Sequence, residues 1–409
     1  MERLIFHVDV NSAFLSWEAA RRVQEGGEDI RLIPSCISGD PEKRTSVVLA
    51  KSIPAKRFNI KTGEPISMAL RKCPELYIAK PDFILYKKYS KAFKDICRDY
   101  APVVEEFSID ECFLDMTGTE LIYPDPIKTA YEIKNKIRDT LGFTVNVGVG
   151  SNKLLAKMAS DFEKPDKVHT LFEHEIENKL WPLPVTDLLM LGRSAADKLG
   201  RIRVKTIGEL ANMSLKDTQR VLGVKLGELL HSYANGIDNS EVSDEPEAAK
   251  GFGISTTLNE NVTTVERANK ILLSLADSVS ARMRRNNAKA MCVSVKIRTN
   301  EFKNRSHQTV LSEPTDVTSE IYEEAKRLFI ELWDKSSPLR LIGISLSKIV
   351  FNENEQLSLI VDEKHEKHKK IDKAVDAIRG KFGKAAVMRG TVYGSGLDVG
   401  KKFDERKEK

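Results

Sequence analysis

The feature that most constrains the fold is an alternation of short apolar runs with helical stretches over the first 170 residues, in which the runs break at acidic residues. Residues 3–8 (Arg-Leu-Ile-Phe-His-Val) read as a buried strand that ends at Asp9, and residues 14–24 as a helix. The polar stretch 25–81, punctuated by Gly and Pro, contains the apolar run 46–50 and reads as a small α/β insertion. Ile84, Leu85, Tyr89, Phe93 and Ile96 recur at helical spacing over 84–100. Residues 103–115 read as strand, turn and strand, with Asp110-Glu111 at the turn. A helix over 126–140, an alternating strand over 143–150 and a helix over 152–161 complete the series. This order predicts an antiparallel or mixed sheet with helices on one side.

The rest of the chain changes character twice. Residues 173–236 carry short helices separated by glycines and read as a separate α-domain; 242–249 reads as an acidic linker. A long amphipathic helix over 264–289, strands over 291–298 and 341–350, and a helix over 318–333 predict an α+β module. A chain of 409 residues is expected to hold two to four domains. Charge is uneven. Between residues 250 and 352 there are 16 basic and 11 acidic residues, so this module accounts for the net +5 and leaves the remainder balanced at 49 against 49. Residues 279–310 carry eight basic residues and one acid, Glu301, which predicts an anionic partner, nucleic acid first. No apolar run nears the roughly 18 residues of a membrane span. An aspartate at position 9 argues against a signal peptide, and five scattered cysteines without a C-x-x-C pair fit a reducing compartment, so a cytoplasmic protein is expected.

Asp9 at a strand end and Asp110-Glu111 at a hairpin turn are the candidate site. Carboxylates on adjacent strand ends converge, and three of them on one spot need a cation to stay ionised. Oxygen ligands favour hard divalent ions, and Mg2+ also brings substrate phosphates. Two such ions clamp the attacking and leaving oxygens of a phosphoryl transfer.

Three motifs resemble one family. They are residues 9–14 (Asp-Val-Asn-Ser-Ala-Phe), 108–111 (Ser-Ile-Asp-Glu) and 148–161, the last followed by Lys164-Pro165. In order and spacing they resemble the Y-family DNA polymerases, and among them the bacterial DNA polymerase IV branch, from residue 3 to about 352. The resemblance implies an α+β multidomain chain with right-hand polymerase architecture. Its palm would be 1–12 with 82–170, its fingers 13–81, and its thumb 171–241 with a helix-hairpin-helix. A linker at 242–251, an α+β little finger at 252–352 and a tail at 353–409 would follow. It implies error-prone, template-directed DNA synthesis past damaged bases, without proofreading. Asp9, Asp110 and Glu111 match the metal carboxylates of two Mg2+ ions (Mn2+ as a second option), with the carbonyl of Val10 as a further ligand. Phe14 matches a steric gate that excludes a 2′-hydroxyl by clash. Lys164 matches a lysine that meets the incoming deoxynucleoside triphosphate, and Gly63 a small residue near the nascent base pair.

The chain departs from that pattern in the fingers. Lys56 stands where a triphosphate-binding arginine is expected and Ile53 where a tyrosine is. A lysine lacks the planar two-pronged contact, which implies weaker nucleotide binding or a share of the role for Arg57. Val47 and Leu49 occupy often smaller positions in the roof over the base. Asn11 replaces a common acid and is not expected to be a ligand. Residues 188–210 resemble the thumb hairpin, with Met190 in place of its first glycine and Gly192 kept.

Lys296 and Arg298, two apart on one strand, share a face, and Lys303, Arg305 and His307 repeat that spacing on the next strand. Together they predict a basic stripe for the DNA backbone. Gln356, Leu357, Leu359 and Ile360 resemble the peptide by which bacterial polymerases dock on the replication sliding clamp. The expected partners are primer-template DNA, deoxynucleoside triphosphates and the clamp, with no membrane, on a monomer. Two other readings stand beside this one: a nucleotidyl cyclase-like palm enzyme, and a catalytically silent DNA-binding clamp adaptor.

Overall fold

The computed structural model describes residues 3–245, 248–351 and 363–391. They form two units, residues 1–41 with 46–246, and residues 42–45 with 247–409.

The first unit begins with β1 (Ile5–Val10), α1 (Ala13–Gln24), β2 (Ser35–Ile37), β3 (Ala50–Lys51), α2 (Ile53–Lys56), α3 (Ile66–Lys72) and β4 (Tyr77–Ala79). It continues through α4 (Phe83–Arg98), β5 (Val103–Glu105), β6 (Glu111–Asp115), α5 (Pro126–Leu141), β7 (Val145–Gly150), α6 (Lys153–Asp161) and β8 (Val168–Leu171). Strands β2, β3 and β4 make a small sheet in the order β3-β2-β4, and the other five make a sheet in the order β5-β6-β1-β7-β8. In the larger sheet only β7 and β8 run parallel.

β1 is buried along its full length because both faces of the larger sheet are covered. Phe6, Val8 and Val10 point into a core shared with α1, α4 and α5. His7 and Asp9 leave the other face, where α6 lies. The expectation of helices on one side is therefore corrected. Two glycines explain the difference, because they let α6 press on the strand backbone. A Cβ on Gly148 would fall 1.9 Å from the Ala156 carbonyl oxygen, and one on Gly150 would fall 2.8 Å from the Ala156 nitrogen.

Helices α7 (Arg193–Arg201), α8 (Ile207–Ala211), α9 (Leu215–Leu222) and α10 (Val224–Ala234) follow. Their core, with Leu199, Leu210 and Leu230, takes in Leu154, Leu155 and Met158 of α6. Asn152 also donates to the Gly236 carbonyl oxygen at 2.8 Å. The missing glycine of the hairpin does not break the turn: Met190 takes the left-handed conformation, φ 67°, with its side chain in solvent.

The second unit contains β9 (Gly251–Val262), α11 (Val265–Arg285), β10 (Ala288–Thr299), β11 (Asn304–Thr315), α12 (Thr318–Leu332), β12 (Leu339–Phe351) and α13 (Glu363–Phe382). Its antiparallel sheet has the order β11-β10-β12-β9. Val293, Val295 and Ile297 alternate into a core closed by α11 and α12. Residues 363–391 are part of this unit. Asp372 of α13 is 3% exposed. It accepts from the Thr318 backbone N–H at 2.7 Å, which satisfies a donor at the start of α12. It also pairs with Arg284 at 3.2 Å.

Candidate active site and nucleic-acid face

The acidic site is assembled by strand register. Asp9 on β1 lies directly opposite Glu111 on β6, so both side chains leave the face covered by α6. The Val10 backbone N–H donates to the Asp110 carbonyl oxygen at 3.0 Å, which seats the turn beside the strand end. Asp110 accepts from the Ser108 hydroxyl at 2.7 Å. The turn is held from behind by α4. Lys94, 3% exposed, donates to the Ser108 carbonyl oxygen at 2.6 Å and to Glu106 at 3.0 Å. Ser90 donates to the Ile109 carbonyl oxygen.

Lysines from α6 and the segment after it supply the nearest positive charge. Lys157 donates to Glu111 at 2.7 Å, and Lys164 to Asp9 at 2.8 Å. The Lys164 segment is itself anchored. Asn11 accepts from the Asp166 backbone N–H at 3.0 Å, and Asn146 donates to the Glu163 carbonyl oxygen at 2.7 Å. Asn11 is thus part of the scaffold for Lys164.

Burial pushes the Asp9 carboxyl up to about 7, against the pull of Lys164 and with the negative charge of Glu111 adding to it. Burial acts in the same direction on Glu111, but the nearby His7 ring, its Nε2 3.6 Å away, and the hydrogen bond from Lys157 outweigh it and hold that carboxyl low.

Among the described residues no group of three or more His, Cys, Asp or Glu side chains is gathered in ligating geometry. Asp9 and Glu111 are turned to their lysines. The donor set nevertheless fits a hard divalent cation. The candidate ligands are all oxygens, and Asp9 is a buried carboxylate that its lysine does not fully compensate.

A cleft of about 380 Å³ opens beside the strand end. Asp9, Val10 and Asp110 line it, as do Ser12, Ala13 and Phe14 at the start of α1, and Leu49, Ala50, Lys51, Lys56 and Thr62 from the small-sheet region. Phe14 is fixed by neighbours. Its ring stacks on Tyr86 with centroids 4.7 Å apart and meets Phe83 edge-on at 6.0 Å. Ser12 turns the chain sharply between strand and helix, at φ 50°, a left-handed conformation of the kind that collects at functional sites.

Other expected site residues lie away from this lining. Glu111 and Lys164 face the α6 side, Arg57 is exposed at the end of α2, and Val47 is half-buried opposite Pro65. Gly63 takes φ 84° and donates its N–H to the Val48 carbonyl oxygen at 2.8 Å. Gly192 caps the start of α7.

In the second unit, register divides the expected basic stripe. Lys296 and Arg298 pair with Ser306 and Asn304, whereas Ile297 and Val295 pair with Arg305 and His307. Opposed residues share a face. Lys296 and Arg298 therefore stand on the open face, and Arg305 and His307 on the helix face at the sheet edge. There Arg305 is bound by Asp334 at 2.9 Å, and Lys303, in the turn, by Glu301 at 2.7 Å. The single five-residue stripe is corrected to a pair. Around Lys296 the open face carries Ser294, Gly343, Ser345, Gly253 and Ser255, while Arg298 stands between Leu341 and Asn304 and donates to the latter at 2.8 Å. Gln356, Leu357, Leu359 and Ile360 lie outside the described residues.

Lys94, Lys157 and Lys51 were missed in the sequence. Lys94 alone had a signal, a lysine on the apolar side of a helical pattern.

A model of the impB/mucB/samB family matches residues 8–161, and one of its C-terminal domain matches 249–359. A model described as the thumb domain of DNA polymerase-iota matches 186–238. The chain is 42% identical over 393 residues to DNA polymerase IV of Clostridium acetobutylicum, covering 95% of this chain and 98% of that protein. It is 34% identical over 393 residues to DNA polymerase IV 1 of Bacillus subtilis, covering 95% and 92%. A solved Y-family DNA polymerase chimera shares the fold, with a TM-score of 0.73 at 22% identity, covering 85% of this chain and 100% of that one. These relatives set aside the cyclase and silent-adaptor readings. The chain belongs to the Y-family DNA polymerases, with the bacterial DNA polymerase IV enzymes, and is a DNA-directed DNA polymerase of the translesion type.

Proposed function

We propose that this polymerase extends a primer by two-metal-ion phosphoryl transfer at the cleft beside β1, without proofreading. One observation carries the reading. A single cleft is lined by carboxylates from the sheet, an aromatic ring at the start of α1 and two lysines from the small-sheet region. A nucleotide with a charged tail, a sugar that packs against the ring and bound cations matches that lining.

Asp9, Asp110, Glu111 and the Val10 carbonyl would hold two Mg2+ ions, with Mn2+ as a second option. When bound, such ions stabilise the charge on the attacking and leaving oxygens. The chain's own groups position the reactants. Phe14, held by Tyr86, would exclude a ribose 2′-hydroxyl by clash. Lys56 meets the triphosphate from the fingers, with Arg57 at its exposed side. Lys164 meets it from the palm after exchanging Asp9 for phosphate. Leu49, with Val47 and Gly63 behind it, forms the roof over the base.

Residues 1–12 with 82–170 would act as palm, 13–81 as fingers, 171–241 as thumb and 252–352 as little finger. Gly192 opens backbone N–H groups to phosphate at the start of α7. Lys296, among small neighbours that let the DNA backbone approach, grips it together with Arg298. Gln356, Leu357, Leu359 and Ile360 dock the monomer on the sliding clamp, in the cytoplasm.

Primer extension with Mg2+ and four deoxynucleotides tests the reading. The parent is expected to extend, and Asp110→Ala to stop extension while primer-template affinity holds. Extension by Asp110→Ala at the parental rate would remove the site. A mispaired primer end left intact with Mg2+ and no nucleotide is expected, and its shortening would remove the claim about proofreading.

A further inference from the structure

The fingers lack the arginine expected at position 56, and Arg57 was the residue positioned in sequence to compensate. Arg57 does not line the cleft. Lys51 does, together with Lys56. Lys51 is the second residue of β3, whose partner is Cys36 on β2. The strand therefore fixes the direction in which the lysine leaves the backbone. It is half-buried, and its ammonium approaches the Thr62 hydroxyl at 3.5 Å. The nearest carboxylate of the lobe, Glu64, is bound by Lys72 at 2.6 Å. Among the described residues Lys51 has no carboxylate at ion-pair distance.

Burial, followed by the like charge of Lys56, holds the Lys51 ammonium below its ordinary value. Two ammonium groups thus line one cleft, one of them half-buried. A polyphosphate entering that cleft brings several negative oxygens at once. Each ammonium is a point donor, so two of them can reach two oxygens that one guanidinium would span.

We infer that Lys51 is a second triphosphate-binding residue, acting with Lys56 in place of the single arginine of the family pattern. The inference rests on the cleft being the nucleotide site.

The test uses the full chain on primer-template with a varied deoxynucleotide, and inorganic tripolyphosphate as a competing probe. Lys51→Ala is expected to raise the KM for nucleotide about tenfold, with kcat within about twofold. The inhibition constant of tripolyphosphate should rise by the same factor. Lys51→Arg should restore most of the loss. Primer-template affinity and Tm should be unchanged in both variants. An unchanged KM in Lys51→Ala overturns the inference. So does a loss shared by KM, Tm and DNA affinity that Lys51→Arg fails to rescue, because that marks a structural role. If tripolyphosphate does not compete in the parent and Asp110→Ala still extends, the cleft itself is misassigned. If the parent competes, Asp110→Ala is inactive and Lys51→Ala is normal, only the role of Lys51 falls.

Discussion

Asp9 and Glu111 face one another across the β1–β6 pair, and each is met by a lysine from α6 or the segment after it. This relationship separates charge for chemistry from charge for stability. Glu111→Gln should lower kcat for extension by about 100-fold or more, with primer-template affinity held. Lys157 then loses the carboxylate that bound it. Adding Lys157→Met should recover Tm but not kcat, and recovery of activity would show that Glu111 serves only as a counter-ion.

Phe14 stacks on Tyr86, which is fully buried, so the ring cannot swing away from a bound sugar. Phe14→Ala should reduce discrimination against ribonucleotides by about 100-fold. Incorporation of matched ribo- and deoxynucleotides, measured as kcat/KM, checks this. An unaltered ratio would leave the ring as packing.

Gly148→Ala tests the contact of α6 with the sheet. The added carbon meets backbone atoms of α6, which have no side-chain freedom with which to yield. A loss of about 3 kcal/mol or more is expected in denaturant unfolding. A near-neutral variant would mean that α6 moves freely on β7.

Acid stability follows from the turn behind Asp110. Burial alone would raise the Glu106 carboxyl, but Lys94 and Arg98 outweigh it and hold it below its ordinary value of 4.5. Its folded value being the lower one, this contribution is present above about pH 4.5 and is lost as pH falls through the folded value. Glu106→Gln should therefore flatten the acid limb of Tm against pH. A parental slope in the variant would assign that limb to other groups.

The C-terminal helix is held by buried ion pairs rather than by an apolar stripe. Arg284 sits between Asp372 at 3.2 Å and Asp376 at 2.7 Å, and Arg379 reaches Asp277 at 2.8 Å. Asp372→Ala leaves Arg284 short of a partner and uncaps α12. A loss of about 3 kcal/mol is expected, with limited proteolysis releasing residues after 363 sooner than in the parent. Equal protection would show that α13 is not fixed through Asp372.

Much of the architecture was legible as local pattern. The long helix of the second unit, now α11, and the helices α4 and α12 follow from apolar spacing, which is a property of neighbouring residues. The acidic motif could be read because its residue types and strand-end positions are local as well. Their meeting was not, since it depends on which strands pair and in what register. The same cause divides the basic stripe. Lys296 and Arg298 share a face through the two-residue period of one strand, but whether Arg305 joins them is decided by a register across two strands. Lys94 behind the turn, Lys51 in the cleft and Asp372 capping a distant helix were likewise set by tertiary contact. Amino-acid order by itself determined the elements, the family and the chemistry of the acidic site. Folding alone decided which charges meet, because Coulomb and hydrogen-bond terms depend on distances that close only when separate segments pack.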